Sequence, residues 1–328
     1  MKALRITGRG GPEVLRLDDV ADPEPGAWDV RIRVRAAALN RADLLQCLGR
    51  YPAPPGAPPD IPGLEYAGEI EDAGRLAQRF RPGDRVMGIL AGGAFAERVI
   101  AHEREVIPMP RGMEFRDAAA LPEALMTAYD ALVLQGELRS GEAVLVHAVA
   151  SGVGTAASQL VCALGGTVIG TSRSQDKLRR VEALGVKHGL CVDSEPPRFA
   201  DRVRELSGGR GADLVLDLVG GSYLPETLAA CAARGRVLLV GTLAGPTAEI
   251  PLATVLQRRL RIQGTVLRTR PLEEKILAAR AFERSVLPLL ERGALRPVVD
   301  EVFPFGEARA ALGKLAGNLP LGKVVLAW

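Results

Sequence analysis

The sequence predicts an α/β protein in which a doubly wound parallel sheet is combined with a smaller, mostly antiparallel β-barrel domain. From about residue 120, apolar runs alternate with helical segments, which is the pattern of a parallel sheet covered by helices. Residues before that point are strand-like and are broken by glycine and proline, and two further strand candidates close the chain. We therefore expect the closing segment to rejoin the first domain.

The first part of the chain is typical of short strands joined by irregular loops. Residues 30–36 alternate apolar and charged side chains, which predicts a half-exposed strand. Residues 38–45 have the pattern of a loop that enters a short helix, with Asn40 as a candidate cap. The proline-rich segment 51–62 is predicted to be a long surface loop, and the segment that ends at residue 70 returns to strand.

The second part predicts six strands with helices between them. A helix is expected over 118–132, with Pro122 near its start. The strand candidates are 143–148, 167–171, 188–192, 213–218, 236–241 and 261–267, and the helical stretches include 176–184, 197–206 and 222–233. One long helix is predicted over 272–292, followed by short strands at 299–303 and 323–327. The expected division is a first domain 1–121, a second domain 122–267 and a return to the first domain over 268–328.

A dinucleotide site is predicted around residues 143–177. A buried strand, a glycine turn, a helix and a second strand follow one another, and this βαβ unit places the first helical turn against a pyrophosphate. The turn residues expected to meet the cofactor are Ser151, Gly152, Val153 and Gly154. Only Gly154 matches the strict G-x-G-x-x-G pattern, so the motif is weak without its context.

The residues after the second strand predict NADP(H) rather than NAD(H). An acidic residue at that place would bind the ribose of NAD, but the chain has Ser172 and Arg173 there, with Lys177 one turn later. A hydroxyl group and two cations suit a 2′-phosphate. The alternative is a solvated basic helix start. Gly241, Thr242 and Leu243 also end a strand at the carboxyl edge of the sheet, where ligands of open α/β folds bind.

Composition excludes several classes of protein. The net charge of +3 is small and the basic residues are scattered, which argues against nucleic acid as a partner. No apolar run is long enough to predict a membrane span, and the start of the chain lacks the apolar core of a secretory signal. The four cysteines stand far apart, so we expect free thiols and a cytoplasmic location.

Six short segments, in a fixed order along the chain, carry a resemblance to a known family. They are residues 10–15 (GGPEVL), 38–43 (ALNRAD), 62–65 (PGLE), 122–124 (PEA), 151–156 (SGVGTA) and 322–326 (GKVVL). The chain resembles the medium-chain dehydrogenase/reductase superfamily, and within it the zeta-crystallin-like NADPH:quinone oxidoreductases, nearest the tumour-suppressor-inducible subgroup. The resemblance implies a GroES-like barrel, a Rossmann domain and a homodimer. The run 261–267 could be the edge strand that pairs across the two-fold axis.

The resemblance also implies catalytic residues. Asn40, Asp43 and Tyr51 correspond to polar residues that line the substrate cleft in the family. Tyr51 could bind a quinone oxygen or donate a proton, or it could simply pack on the surface. Asn40 could cap the helix and contact the substrate as well, and Asp43 could only order the loop.

Further cofactor contacts follow from the same resemblance. The corresponding residues are Thr127, Val266, Leu267, Asn318 and Lys323. Thr127 could be an ordinary helix residue, and the last two could lie in a solvated loop. Family members often have a tyrosine where this chain has Val192, so the preference for NADPH over NADH could be relaxed.

The resemblance bears on zinc too. Zinc-dependent relatives place a cysteine near Asn40, a histidine at the position of Leu64 and a third ligand near Glu123. Leucine cannot bind zinc, and the isolated Cys47 does not restore a three-ligand set, so no metal is expected. Hydride transfer would then favour acceptors that need no Lewis acid, such as quinones and conjugated enones.

The predicted function is zinc-free, NADPH-dependent reduction of quinones in a cytoplasmic homodimer. One alternative is an enone or enoyl reductase on the same scaffold, which would need a proton donor for carbon. Another is an NADPH-binding protein without turnover.

Overall fold

The computed structural model describes residues 1–328, which form two compact units. The first unit comprises Met1–Met126 and Leu267–Trp328, and the second comprises Thr127–Val266. The strands are β1 (Lys2–Ile6), β2 (Leu15–Asp19), β3 (Asp29–Ala38), β4 (Glu65–Ala73), β5 (Arg85–Ile89), β6 (Arg98–His102), β7 (Ile107–Pro108), β8 (Ala143–Val146), β9 (Thr167–Ser172), β10 (Val186–Cys191), β11 (Ala212–Asp217), β12 (Cys231–Leu239), β13 (Arg261–Gly264), β14 (Val299–Pro304) and β15 (Lys323–Ala327). The α-helices are α1 (Arg41–Cys47), α2 (Phe115–Ala118), α3 (Pro122–Tyr129), α4 (Gly152–Ala163), α5 (Gln175–Val181), α6 (Ala200–Leu206), α7 (Leu224–Ala230), α8 (Leu252–Arg258), α9 (Leu272–Ser285), α10 (Leu287–Glu291) and α11 (Ala308–Ala316).

The second unit contains the predicted parallel sheet. Its six strands are all parallel and lie in the order β10-β9-β8-β11-β12-β13. Every residue of β8 is buried, which explains the unbroken apolar run of its sequence. The chain builds outward from β8 on one side and from β11 on the other, so the strand order reverses between these two strands. Open α/β sheets bind ligands at the carboxyl ends of the strands at such a point.

The first unit is built on a mostly antiparallel sheet. Six of its strands follow the order β14-β15-β3-β4-β5-β7, and β6 pairs with β3. In β3 the side chains of Val30, Ile32 and Val34 are buried, while the intervening arginines are more exposed, as the alternating sequence predicts. The last strand, β15, pairs with β3 antiparallel, which brings the closing segment into the first sheet.

Several predicted elements differ from the structure. The single helix expected over 118–132 is instead α3 (Pro122–Tyr129) followed by a π-helical segment, Asp130–Gln135. The helix expected over 222–233 stops at Ala230, and β12 begins at once because Cys231 pairs with Ala212 on the neighbouring strand. The long helix expected over 272–292 is two helices, since Pro288 lies in the first turn of α10 and proline favours a helix start. The strand expected over 261–267 ends at Gly264.

None of the helices combines the length and the apolar character that a membrane crossing requires.

Candidate active site and cofactor site

The turn between β8 and α4 is tightly packed. Ala148 has a positive φ of 48°, and its carbonyl accepts the Ser151 N–H. Ser151 is the N-cap of α4, and its Oγ accepts the Gly154 N–H at 3.0 Å. A Cβ at Gly154 would lie 2.5 Å from the carbonyl oxygen of Ala148, so only glycine lets the helix pack this closely. The partly exposed Gly152 and Val153 complete the first turn.

A buried histidine directly after β8 links β9 to α7. His147 is fully buried, and its two ring nitrogens lie 2.9 Å from Thr171 Oγ1 and 2.8 Å from Thr227 Oγ1. Phe199 and Tyr223 pack edge-on against the ring. Burial lowers the pKa of His147, so the ring is held neutral as a structural residue.

The end of β9 presents two cations and no carboxylate. Ser172 is partly exposed and its Oγ accepts the Ser174 N–H at 3.2 Å, while the Arg173 side chain is exposed. Lys177 lies in the first turn of α5, where its backbone N–H donates to Ser174 Oγ. The nearest acidic residue along the chain, Asp176, is paired with Arg179 at 3.3 Å.

The carboxyl ends of β12 and β13 form an open cavity of 390 Å³. Its lining includes Gly241, Thr242 and Val266, so three of the residues predicted to bind the cofactor lie together in the second unit. Leu243 is beyond the lining and is 54% exposed. Thr265 also lines the cavity, and its Oγ1 donates a hydrogen bond to Asp130 at 2.9 Å.

Sequence reasoning missed Asp217 at the carboxyl end of β11. Its Oδ1 accepts the backbone N–H groups of Val219 and Gly220, each at 2.8 Å. Its Oδ2 is buried and has no hydrogen-bond partner within the protein. A buried carboxylate with one vacant acceptor is positioned at the point where the strand order reverses. In the sequence, an aspartate at the end of the mostly apolar run 212–217 is the feature that could have indicated this residue.

The first unit holds a second group of candidate site residues, which lies around Lys323. The ammonium of Lys323 donates to Leu39 O at 2.7 Å, to Asn40 Oδ1 at 2.6 Å and to Glu65 Oε1 at 2.6 Å. Asn40 Nδ2 donates to the same Glu65 oxygen at 2.9 Å. All three hydrogens of the ammonium are therefore used inside the unit, and Glu65 is a fully buried carboxylate that is ion-paired.

Asp43 orders the loop that surrounds this group. It is the third residue of α1, and its carboxylate accepts the backbone N–H of Asn40, the N-cap, at 2.7 Å and that of Gly63 at 3.0 Å. Gly63 has a φ of 100°, a conformation that glycine adopts without strain. Burial raises the pKa of Asp43 to about 6, against the effect of these hydrogen bonds.

Arg268 holds Tyr51 in the first unit. Its guanidinium is buried and donates to Gln46 Oε1 at 2.6 Å, to Ala91 O at 2.7 Å and to the backbone oxygen of Tyr51 at 3.0 Å. The same guanidinium lies over the Tyr51 ring, 4.8 Å from its centroid. Burial raises the pKa of the partly buried Tyr51 hydroxyl. No signal in the sequence singled out Arg268 or Gln46.

Glu123 is the other residue whose position the sequence did not reveal. Its backbone N–H donates to Glu65 Oε2 at 2.9 Å, whereas its own carboxyl group makes no hydrogen bond within the protein. Burial, reinforced by the charge of Glu65, raises the pKa of Glu123 to about 8. The motif at residues 122–124 contained this glutamate, but its neighbours come from distant parts of the chain.

The remaining predicted residues have ordinary surroundings. Thr127 is buried in α3, and Leu267 is buried in the first unit. Asn318 is exposed, has a φ of 55° and accepts a hydrogen bond from Arg41. Val192 is buried in the apolar core of the second unit.

Comparison with known proteins supplies the family. The alcohol dehydrogenase GroES-like domain matches residues 26–111, and the zinc-binding dehydrogenase domain matches residues 152–283. The quinone oxidoreductase of Pseudomonas aeruginosa is 35% identical over 99% of both chains. The chain belongs to the quinone oxidoreductases of the medium-chain dehydrogenase/reductase superfamily. It is an enzyme of that type, with the predicted combination of a GroES-like and a Rossmann domain.

Two solved structures are similar over the whole length of this family member. A quinone oxidoreductase of Pseudomonas syringae pv. tomato has a TM-score of 0.87 and 30% identity, and covers 100% of this chain and 99% of its own. A mycobacterial protein complexed with NADPH has a TM-score of 0.89 and 28% identity, and covers 100% of both chains. The residues around α4 fit a nicotinamide dinucleotide, because Gly154 leaves room for close approach and the first-turn N–H groups suit a pyrophosphate.

The name of the second domain raises the question of zinc, and the donor set does not fit it. Leu64 is buried and has no atom that can bind a metal. Both oxygens of Glu65 accept hydrogen bonds from protein groups, which leaves Glu123 as a single free carboxyl. No group of three or more histidine, cysteine, aspartate or glutamate side chains in the enzyme is arranged to hold a metal ion.

Proposed function

We propose that this enzyme reduces quinones with NADPH and without zinc. The observation that carries the proposal is the contact of the Lys323 ammonium with Asn40 and Glu65. The Lys323 ammonium therefore lies next to Asn40 and Glu65. These residues are close in sequence to the positions that supply zinc ligands in metal-dependent relatives. With Leu64 unable to bind a metal, the acceptor has to take a hydride without a Lewis acid, and quinones do so because the charge spreads over the ring.

NADPH is the proposed cofactor, and when bound it supplies the hydride. The support is the pair of cations Arg173 and Lys177 beside the Ser172 hydroxyl, with no carboxylate on β9 to repel a 2′-phosphate. Ser151, Gly152, Val153 and Gly154 would bind the pyrophosphate, and the cavity lined by Gly241, Thr242 and Val266 would accept a further part of the dinucleotide. Leu243, Thr127 and Leu267 are further candidates for cofactor contacts.

The acceptor would be bound by residues of the first unit. Asn40 is oriented by Lys323, and Asp43 fixes the loop through two backbone N–H groups, so both would act through positioning. The Tyr51 hydroxyl would donate a hydrogen bond to an acceptor oxygen. Lys323 would orient Asn40 rather than touch the cofactor, because its three hydrogens are already used. Asn318 is retained as a candidate contact to the cofactor.

We also propose a cytoplasmic homodimer. The support for the dimer is that β13 stands at the end of the six-stranded sheet, with exposed Leu252, Leu256 and Val266 nearby in sequence. The support for the location is that the four cysteines are free thiols.

The proposal is tested by oxidation of NADPH in the presence of 1,2-naphthoquinone, beside a simple conjugated enone and with a chelator present. We expect rapid turnover with the quinone that the chelator does not change. Turnover with the enone alone would favour the alternative, an enone reductase, which the free Tyr51 hydroxyl and Glu123 carboxyl also suit because reduction of carbon needs a proton donor. Saturable NADPH binding without any turnover would overturn both.

A further inference from the structure

The buried polar group around Glu65 is almost fully satisfied by its own members. Lys323 uses all three hydrogens, and the Asp43 carboxylate accepts two backbone N–H groups. Glu65 accepts bonds on both oxygens, and Arg268 donates to three oxygens of the first unit. Polar groups in such a setting rarely lack a partner, so an exception invites an explanation.

Two side chains of this group are exceptions. The Glu123 carboxyl and the Tyr51 hydroxyl make no hydrogen bond within the protein, and both residues are only partly buried. They also lie close enough together for the charge of Glu123 to raise the pKa of Tyr51. A molecule bound here would therefore meet two groups that each have a proton to donate.

The surrounding charges decide which of the two gives up its proton more readily. Glu123 faces the carboxylates of Glu65 and Asp43, and the opposing cations Lys323 and Arg268 are already bound to other oxygens. The pKa of Glu123 is raised to about 8, so it is protonated at neutral pH and still able to release the proton. The pKa of Tyr51 is raised above its usual 10, which makes the hydroxyl a poorer acid.

We propose that Glu123 is the catalytic acid that protonates the oxygen of the reduced acceptor. The inference rests on the proposed quinone reduction. Hydride transfer converts the quinone into a hydroquinone monoanion. A proton then passes from the Glu123 carboxyl to the anionic oxygen, which leaves neutral hydroquinone and a Glu123 carboxylate. The carboxylate recovers a proton from water, because the residue is partly exposed. Tyr51 donates a hydrogen bond to the acceptor and keeps its proton.

The first test is the pH dependence of kcat/KM for 1,2-naphthoquinone in the wild type and in Glu123→Gln. Because the acid form is needed, wild-type activity should fall above about pH 8. Glu123→Gln should lower kcat about 100-fold at pH 7, the lower end of general acid catalysis, and should remove the fall. Glu123→Asp should restore part of the activity together with the alkaline limb. Any limb near pH 6 that arises from Asp43 should persist in both variants.

Glu105→Gln is the matched control. Glu105 is a partly buried carboxyl of the first unit whose pKa is raised to about 7, but its charged neighbours are Lys275 and Asp29. This variant should keep the wild-type pH profile. An alkaline limb that survives in Glu123→Gln, or full activity of that variant, would overturn the assignment while quinone reduction itself stands.

A second readout separates this inference from the proposed function. In the Glu105→Gln background at pH 7, where Glu105 cannot contribute and Asp43 is largely ionised, the infrared carbonyl band of a protonated carboxyl should be present with Glu123 intact and lost on Glu123→Gln. Absence of the Glu123 band would overturn the inference whatever the activity. If the band is present but no quinone is reduced, the proposed function fails, and the catalytic role of Glu123 fails with it.

Discussion

At the scale of single residues, Lys323 and Glu65 form the buried ion pair on which the first unit depends. Lys323 is 5% exposed and Glu65 is fully buried. Lys323→Met should lower the free energy of unfolding by about 3–5 kcal/mol, because it leaves an unpaired buried carboxylate. Denaturant unfolding measures the loss. Glu65→Gln in the Lys323→Met background should recover much of it, and a single Lys323→Met variant as stable as the wild type would contradict the description of this pair.

The free energy of unfolding should depend on pH through the partly buried carboxyl group of Glu105. Burial raises its pKa from 4.5 to about 7, so the folded protein binds this proton more tightly than the unfolded chain. The contribution of the protonated Glu105 carboxyl to the free energy of unfolding is fully present below about pH 4.5 and is lost as the pH rises through about 7. Relative to the wild type, Glu105→Gln should therefore gain about 3 kcal/mol between pH 4.5 and pH 8, since each pKa unit corresponds to about 1.4 kcal/mol. Unfolding free energies at several pH values measure the gain, and an equal offset at every pH would contradict it.

At the scale of elements, we expect the turn from β9 to α5 to determine the preference for NADPH over NADH. Arg173→Ala should raise the KM for NADPH about 10-fold and leave the KM for NADH almost unchanged, because a charge-assisted hydrogen bond to phosphate contributes about 1.5 kcal/mol. Arg179→Ala on α5 is the control, since Arg179 is paired with Asp176. Equal losses for both cofactors would refute the assignment of the phosphate site.

The elements also show how far a sequence can be interpreted. The alternation in β3 and the apolar run of β8 predicted their strands, because burial on one or two faces leaves a direct trace in sequence. The predicted end of α7 was wrong. The change from helix to strand at Cys231 depends on pairing with Ala212, a contact between distant segments. Pro288 is present in the sequence, but the single helix predicted over 272–292 did not allow for the new helix that begins there. Local patterns therefore predicted the elements better than their ends.

The same limit applies to the candidate site. Ser151 and Gly154 could be found because their roles follow from one local turn. Arg268 and Glu123 could not, because their contacts join segments that are far apart in the chain. The position of Lys323 was visible only through resemblance, and its three bonds inside the first unit became clear only in the structure.

At the scale of the whole molecule, the exposed end of the six-stranded sheet predicts self-association. Sedimentation or light scattering should give twice the 34.8 kDa of one chain at micromolar concentration. A stable mass of 34.8 kDa would contradict pairing through β13.

The most direct test of zinc-free, NADPH-dependent quinone reduction is the ratio of kcat/KM for NADPH to that for NADH, with 1,2-naphthoquinone as acceptor, after dialysis against a chelator. Metal content is measured on the same sample. We expect a metal-free enzyme that turns over the quinone and prefers NADPH by at least about 10-fold, the effect of one phosphate contact. Activity that disappears with the chelator and returns with zinc, or an equal preference for the two cofactors, would contradict it.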